Sequence, residues 1–432
     1  MNSYESEIIK LNKRIKAITD NPDPTKMKSN KMMYELERDL NVHRLKQWKD
    51  GVPFADGVYP TLLRSMGFEA QVLDMAADRS QLATSHFETI GSLGLPQNAC
   101  DRTTVLISMA VNKELAPPSF LVSQNRSCDP LKLAYNTLGR LFGTPIQCLD
   151  HGLEANNDTL GYVTDQLGEI IEFAEKKVPG IKFDESKLIE LQEMDRIGFN
   201  YLRDIYELRK RVPCPLSGKD AFRIPIPPSH FHDQKRALDY FRAWHEEMGE
   251  RVEKGVGSTA EEKLRVLWAV SGPFYANPFA TLEKRGVSVP WFMFDQAARF
   301  SGIIYGYYGD EKEYGRKLSP LEEEARMLNS HSWGGLASRW VRDVLYVCRD
   351  LKIDAIINFR QVGCTATVGL AKILEEKAEK DLGIPTLHME GRQLFPSYFD
   401  PVTVNTQLDV FIDSCLRRKA ERKATPQSAA AS

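Results

Sequence analysis

Residues 354–370 read DAIINFRQVGCTATVGL and decide the fold. The apolar run at residues 354–359 predicts a buried strand, and the pattern over residues 368–381 predicts a helix. Gly363 and Cys364 lie in the turn between them. Ligands bind beyond the carboxyl ends of the strands in open parallel sheets. The stretch therefore predicts an α/β fold in which Cys364 lies at a candidate ligand site.

The same alternation of strand and helix continues on both sides of this stretch. Strands are predicted at residues 69–73, 120–122, 145–149, 264–270, 287–294, 354–359 and 383–389. Helices are predicted between them, for example directly after Cys100 and from Pro130. A β–α–β order predicts parallel sheets that are covered by helices. The expected fold class is therefore α/β, with two Rossmann-like domains that have parallel sheets.

Helical segments precede and separate these two units. Apolar residues at helical spacing occur in the first fifty residues and again over residues 158–211 and 233–252. The end of the chain, ATPQSAAAS, has low complexity. We expect five regions: an N-terminal helical arm (1–56), a first α/β domain (57–155), a helical insertion or linker (156–255), a second α/β domain (256–418) and a disordered tail (419–432).

Composition excludes several classes of function. The 432 residues include 57 Lys and Arg against 59 Asp and Glu, so the formal net charge is -2. A dedicated nucleic-acid binder usually carries a large basic excess, which this chain lacks. No window approaches the roughly 20 apolar residues that span a bilayer. The polar start, MNSYESEIIKLNKR, has no apolar signal core, so we expect a cytoplasmic protein.

Seven cysteines are present, and three of them share a local context. Cys100, Cys128 and Cys364 each lie near the N-terminus of a predicted helix, which Cys100 directly precedes. The N-terminus of a helix lowers the pKa of a thiol, and thiolates bind iron and other soft metals. A metal site on these three residues is one interpretation. A tetrahedral zinc site with a fourth ligand, or a catalytic thiol with a distant histidine, are two others.

The remaining four cysteines fit a simpler interpretation as buried apolar side chains, because unpaired cysteine is often buried. They are Cys148, Cys214, Cys348 and Cys415. No two cysteines form a CxxC pair, and a cytosolic chain is not expected to carry a disulfide framework.

Other motifs are weaker. The chain has neither GxxxxGK[ST] nor GxGxxG, so we expect no nucleotide hydrolysis and no dinucleotide binding by this chain itself. The Gly- and Tyr-rich residues 302–315 are interpreted as a surface loop. His230 and His232 could ligate a metal together, although their position between prolines and a helix start is more typical of a loop or a cap.

Two acidic residues and an aromatic run complete the candidates. Asp101 and Asp129 each follow one of the three cysteines, and acids at a helix start complement the helix dipole. Either could also receive a proton. An aromatic run is typical of a core and would also suit a flat, apolar substrate pocket; its members are Trp268, Phe274, Trp291, Phe292 and Phe294.

From about residue 57 to 415 the chain resembles the D-type, cluster-bearing subunits of the 2-hydroxyacyl-CoA dehydratase and benzoyl-CoA reductase family. The matching stretches are PTLLRSMGFEAQVLD, Cys100 at the head of a helix, SCDPLKLAY, GPFYANPFATLEKRG, DAIINFRQVGCTATVG, GIPTLHMEG and NTQLDVFID. The resemblance implies that Cys100, Cys128 and Cys364 hold a 4Fe-4S cluster, which could be part of a double-cubane cluster. Three thiolates would leave one iron free for a small ligand, a sulfide bridge or the substrate carbonyl oxygen.

Within that family, the long N-terminal arm and the overall size favour the larger catalytic (B-type) subunit of an ATP-dependent benzoyl-CoA reductase. The sequence departs from the family pattern after GIPTLHME, where Gly391, Arg392 and Gln393 follow. The expected activity is reduction of the aromatic ring of benzoyl-CoA to a cyclic dienoyl-CoA, with low-potential electrons, in anaerobic aromatic degradation.

Two alternatives remain open. The first is a subunit of a radical 2-hydroxyacyl-CoA dehydratase, in which one electron gives a ketyl radical, water leaves and the electron returns. The second is a non-catalytic, metal-bearing scaffold subunit. The resemblance implies four partners: a homologous sister subunit, ATP-hydrolysing iron–sulfur activator subunits, a low-potential ferredoxin and an acyl-CoA substrate. Neither nucleic acid nor a membrane is expected among the partners.

Overall fold

The computed structural model describes the chain except for residues 24–25, 80–84, 97, 126–127, 155, 222–226, 270–271, 274, 293–313, 332–335, 397–399 and 425–432. The described part contains two four-stranded sheets, and every strand pair in them is parallel. The predicted α/β fold with two Rossmann-like domains is therefore confirmed.

The first sheet belongs to the N-terminal half of the chain. Its strands, in the order β2-β1-β3-β4, are β1 (Phe54–Asp56), β2 (Glu69–Ala70), β3 (Phe120–Gln124) and β4 (Ile146–Leu149). Strand β3 lies inside the sheet, and its apolar residues Phe120, Leu121 and Val122 are fully buried, as is typical of a parallel strand that is covered on both faces.

The second sheet repeats the same strand order. Its strands, in the order β6-β5-β7-β8, are β5 (Leu264–Trp268), β6 (Val287–Phe292), β7 (Ala355–Gln361) and β8 (Thr386–Gly391). In each sheet the second strand pairs on one side of the first strand and the third strand on the other. The carboxyl ends of β1 and β3, and of β5 and β7, therefore meet at a topological switch point, where ligands bind in such folds.

Helices cover the sheets and form the remaining body of the protein. In the first half they are α1 (Ser3–Asp20), α2 (Ser29–Lys49), α3 (Pro60–Ser65), α4 (Leu73–Arg79), α5 (His86–Ser92), α6 (Asp101–Val111), α7 (Asp129–Phe142), α8 (Asn157–Lys177) and α9 (Glu185–Leu208). In the second half they are α10 (Gly218–Ala221), α11 (Gln234–Glu253), α12 (Pro278–Lys284), α13 (Pro320–Asn329), α14 (Ala337–Asp350), α15 (Thr365–Leu382) and α16 (Pro401–Ala424). Among the described residues, no helix is long and apolar enough to cross a bilayer.

The N-terminal arm and the central helices share a core of their own. Leu36 and Leu40 of α2 pack with Phe199 of α9 and with Phe241 and Trp244 of α11. The two α/β units are thus joined by a packed helical body.

Segments from the second half of the chain also pack against the first sheet. Ala325 and Leu328 of α13 lie in the same core cluster as residues of α3 and α8. Leu394 and Phe395, just after β8, lie in the cluster that contains residues of α6 and α7. The two α/β units are therefore interlocked rather than separated end to end.

The structure differs from the sequence prediction at short elements. Strand β1 has three residues and was not predicted, and the strand predicted at residues 69–73 is limited to Glu69–Ala70 because α4 begins at Leu73. Short strands carry too few residues to show a pattern. Helix α16 continues to Ala424, past residue 419 where the tail was predicted to begin.

Candidate functional site

The three singled-out cysteines lie at helix starts, as predicted. Cys100, Cys128 and Cys364 are the N-cap residues of α6, α7 and α15. All three are partly exposed and free of disulfide bonds. Cys128 follows β3 of the first sheet and Cys364 follows β7 of the second, so each comes after the carboxyl end of a strand.

The fold brings these cysteines together across the two halves of the chain. The thiols of Cys128 and Cys364 both interact electrostatically with the thiol of Cys100. The backbone at Gly363 makes this approach possible, because it has a φ of +83°. A Cβ atom there would come within 2.5 Å of the carbonyl carbon of Ala99 and of the Cys100 nitrogen. Only glycine fits so close a backbone contact at a positive φ.

Burial has the largest effect on the acidity of two of these thiols. It raises the pKa of Cys100 to about 12 and that of Cys128 to about 11, and the negative charge of a neighbouring thiolate raises both further. The guanidinium of Arg102 opposes these effects in each case. The lowered pKa predicted from the helix N-terminus is therefore wrong for these two thiols, because desolvation outweighs the helix dipole. A metal that binds here would have to displace their protons.

Three thiols form the candidate donor set for a metal or a cluster. Within the described residues, no group of three or more His, Cys, Asp or Glu side chains is arranged to hold one metal ion. Tetrahedral zinc requires sulfur ligands about 2.3 Å from a common centre, so the geometry does not favour the zinc interpretation. In a four-iron cluster each thiolate binds a different iron, so its ligands stand farther apart. The charges of Cys100, Cys128 and Cys364 interact with one another, and thiols are the donor type that such a cluster takes.

A buried carboxylate lies beside Cys100. Asp101 is fully buried and accepts hydrogen bonds from Arg392 Nη1 at 2.6 Å and from the Leu394 N–H at 3.0 Å. The helix-start acid predicted from the sequence is thus also half of a buried ion pair with the second half of the chain. Asp129, by contrast, is exposed at the start of α7.

A cavity of about 290 Å³ lies at the carboxyl ends of β1 and β3. Its polar lining includes Asp56, Asp74, Gln124, Lys132, Tyr135 and His230. Lys132 and Tyr135 project from α7, the helix that Cys128 begins. The Asp74 carboxylate raises the pKa of the Cys128 thiol and lies 4.0 Å from Arg102 Nη1. The cavity is therefore next to the cysteines on their α7 side.

Asp56 is a cavity residue with a strongly perturbed acidity. Its Oδ2 accepts hydrogen bonds from the Tyr135 hydroxyl at 2.7 Å and the Leu73 N–H at 2.5 Å, and its Oδ1 accepts one from the Gly57 N–H at 2.6 Å. Burial raises the pKa of Asp56 to about 7 in spite of these donors. This carboxyl can therefore hold or release a proton near neutral pH. Asp56 was not among the residues singled out from the sequence, because it lies at the end of strand β1, which was not predicted.

The two histidines singled out in the sequence do not act together. His230 Nε2 lies 2.9 Å from Arg44 Nη2. The ring of His232 instead stacks on that of His43, with centroids 4.4 Å apart. His230 lies in a short 3-10 helix at Pro228–His230, which agrees with its interpretation as part of a loop.

The other candidates have structural positions. Cys214, Cys348 and Cys415 are buried, but the prediction of burial is wrong for Cys148, which is exposed because β4 is an edge strand. Three members of the predicted aromatic run, Trp268, Trp291 and Phe292, are buried in the core around the second sheet. Phe274, Phe294 and residues 302–313 lie outside the described residues.

Comparison with known proteins gives the family. The family model described as 2-hydroxyglutaryl-CoA dehydratase, D-component, matches residues 58–415. Among curated proteins, the (R)-phenyllactyl-CoA dehydratase alpha subunit of Clostridium sporogenes is 21% identical over 349 residues, which cover 75% of this chain and 82% of that protein.

Two further relatives are also dehydratase subunits. The (R)-2-hydroxyglutaryl-CoA dehydratase subunit alpha of Acidaminococcus fermentans is 22% identical over 309 residues, covering 69% of this chain and 60% of that protein. The lactoyl-CoA dehydratase subunit alpha of Anaerotignum propionicum is 21% identical over 323 residues, covering 68% of this chain and 69% of that protein.

These findings correct the predicted activity. The prediction of a benzoyl-CoA reductase subunit is wrong, because the family model and all three relatives are named as 2-hydroxyacyl-CoA dehydratases. The arm and the size of the chain favoured the reductase, but the family model matches the part of the chain that follows the arm. Dehydratases are lyases, so the predicted oxidoreductase class is not supported either, while an enzyme subunit is. The chain belongs to the 2-hydroxyglutaryl-CoA dehydratase D-component family.

Proposed function

We propose that this chain is the cluster-bearing subunit of a radical 2-hydroxyacyl-CoA dehydratase. The observation that carries the proposal is the convergence of Cys100, Cys128 and Cys364, from both halves of the chain, beside a cavity with a proton-exchanging carboxyl. The names of the three relatives support the substrate class, since each acts on a 2-hydroxyacyl-CoA thioester.

In this proposal Cys100, Cys128 and Cys364 hold a 4Fe-4S cluster. When bound, the cluster supplies a single electron at low potential to the thioester of the substrate. The protein contributes the three thiolates and the partly buried surroundings, and both influence the reduction potential.

The cavity next to the cysteines is the proposed site for the acyl group. Loss of water from a 2-hydroxyacyl thioester requires a proton on the departing hydroxyl and removal of one proton from the neighbouring carbon. Asp56 exchanges a proton near neutral pH and is suited to one of these transfers. Burial raises the pKa of Tyr135 well above its ordinary value, so this hydroxyl stays protonated and orients Asp56.

Partners are proposed from the same family. The relatives are named as alpha subunits, which supports an assembly with a homologous sister subunit. The chain has no nucleotide-binding loop of its own. We therefore propose that ATP-hydrolysing iron–sulfur activator subunits and a low-potential ferredoxin supply the electron.

Anaerobic co-expression of the chain with its partner subunits tests this function. Iron and acid-labile sulfide are measured, and phenyllactyl-, 2-hydroxyglutaryl- and lactoyl-CoA are assayed with a reductant in sub-stoichiometric amount. We expect an unsaturated acyl-CoA and water in large excess over the electrons supplied. Consumption of electrons in proportion to product would contradict a dehydratase, and a protein with zinc but no iron would support the scaffold alternative.

A further inference from the structure

The segment that follows β8 reaches from the second sheet into the first α/β unit. Leu394 and Phe395 are buried in the cluster that includes Leu106 of α6 and Leu138 of α7. The ring of Phe395 also meets that of Phe87 edge to face, with centroids 5.7 Å apart. This segment therefore anchors the second unit to the helices that Cys100 and Cys128 begin.

One carboxylate of the first unit receives three groups from the second. Asp101 accepts hydrogen bonds from Arg392 Nη1 and from the Leu394 N–H, and the side chain of Gln361 also hydrogen-bonds to it. Gln361 ends β7, and Arg392 directly follows β8. Asp101 is fully buried, and Arg392 and Gln361 are nearly so. A buried, charge-assisted pair allows little relative movement of the groups that carry it.

This contact lies between two of the proposed cluster ligands. Asp101 directly follows Cys100, and Gln361 stands three residues before Cys364. Between them, the backbone of Gly363 packs directly on that of Ala99 and Cys100. Cys128, in contrast, belongs to the same unit as Cys100.

We propose that Asp101 and Arg392 are positioning residues that form an inter-unit latch, which holds the Cys364 turn against Cys100 and so assembles the three-thiol set. The inference rests on the proposed function only for the role of the three thiols as cluster ligands. Arg392 supplies the cation of this latch. It belongs to the Gly391-Arg392-Gln393 stretch that departs from the family pattern, so this stretch has a structural role.

The test measures the distance between thiols in the full-length apo-protein, without a cluster. In a Cys128→Ser background, dibromobimane becomes fluorescent when it bridges two neighbouring thiols, and peptide mapping identifies the Cys100–Cys364 bridge. The variants are Asp101→Asn, Arg392→Gln and Arg392→Lys. Arg285→Gln is the matched control, because Arg285 pairs with Asp409 at 2.5 Å in a partly exposed ion pair within the second unit.

We expect Asp101→Asn and Arg392→Gln to slow bridging about tenfold. The rate should fall in proportion to the fraction of molecules in which the Cys364 turn lies against Cys100. Arg392→Lys should restore part of the rate, and Arg285→Gln should match the parent. Near-ultraviolet circular dichroism reports folding, and rates are compared per folded molecule. Parental bridging rates in Asp101→Asn and Arg392→Gln would overturn the latch. If Asp101→Asn does not fold, a parental rate in folded Arg392→Gln overturns it just as well.

A second readout separates this inference from the proposed function. Anaerobic reconstitution of the same variants is followed by iron content and by the electron paramagnetic resonance spectrum of the reduced protein. With the latch weakened, we expect lower iron occupancy and an altered spectrum. A wild-type protein that binds no iron, but whose bridging still depends on Asp101 and Arg392, would refute the cluster and leave the latch intact.

Discussion

Replacement of Asp56 by asparagine should change how the stability of the protein depends on pH. The ordinary pKa of this carboxyl is 3.8, and burial raises it to about 7 in the folded protein. At about 1.4 kcal/mol for each pKa unit, the shift corresponds to about 4 kcal/mol. The native state binds this proton more tightly than the unfolded chain does. The associated stabilisation is therefore fully present below pH 4 and is lost as pH rises through 7.

Asparagine carries no titrating proton, so Asp56→Asn should lack this loss. The free energy of unfolding of the variant, minus that of the wild type, should rise by about 3 kcal/mol between pH 5 and pH 8. Urea unfolding of both apo-proteins at half-unit pH intervals measures the difference. Titration of all other groups cancels in the comparison. Asp165→Asn, which replaces an exposed aspartate of α8, is the control. A difference that stays constant over this range would show that Asp56 keeps its ordinary pKa, and would remove its proposed role in proton exchange.

Four further predictions concern the site. Cys364→Ala should lose the iron that Cys348→Ala retains, because Cys348 is buried inside α14, and equal iron content in the two would refute the ligand assignment. Gly363→Ala should destabilise the fold by about 1–3 kcal/mol from backbone strain alone, with further loss from the clash at Cys100, as measured by thermal unfolding. Tyr135→Phe removes a hydrogen bond that lowers the pKa of Asp56, so the pH-dependent loss of stability should move to higher pH; a shift to lower pH would contradict the hydrogen bond. Cys148 should react with Ellman's reagent in the native apo-protein before Cys348 and Cys415 do, since it alone of these three is exposed; mass mapping of the modified peptides decides the order.

The features that the sequence could predict are those carried by local pattern. Residues 354–370 show a strand, a turn and a helix in succession, and the structure contains β7, the Gly363–Cys364 turn and α15 at these positions. The cysteines were singled out for the same reason, because the start of a helix can be recognised from the residues around it. Their convergence depends on the packing of two sheets, which no local pattern contains.

The residues that were missed depend on contacts between distant parts of the chain. Asp56 acquires its raised pKa from burial among α4, α7 and β3, so its sequence neighbours Ala55 and Gly57 give no sign of it. Arg392 was noticed only as a departure from a pattern, and its partner Asp101 lies almost three hundred positions earlier. The substrate was misassigned because it was argued from the length of the chain and the presence of an N-terminal arm, and neither of these carries information about the chemistry of the acyl group.

The sharing of the three thiols between the two sheets has a consequence for how the protein unfolds. A ligand that binds only when Cys100 and Cys364 are both in place stabilises the state in which both α/β units are folded, and its binding energy is added to both at once. Unfolding of either unit would release the ligand, and the other unit would then lose the stabilisation that ligand binding gives. The loaded protein should therefore melt in one cooperative step, whereas the empty chain lacks this shared binding energy and has a route to melting in stages.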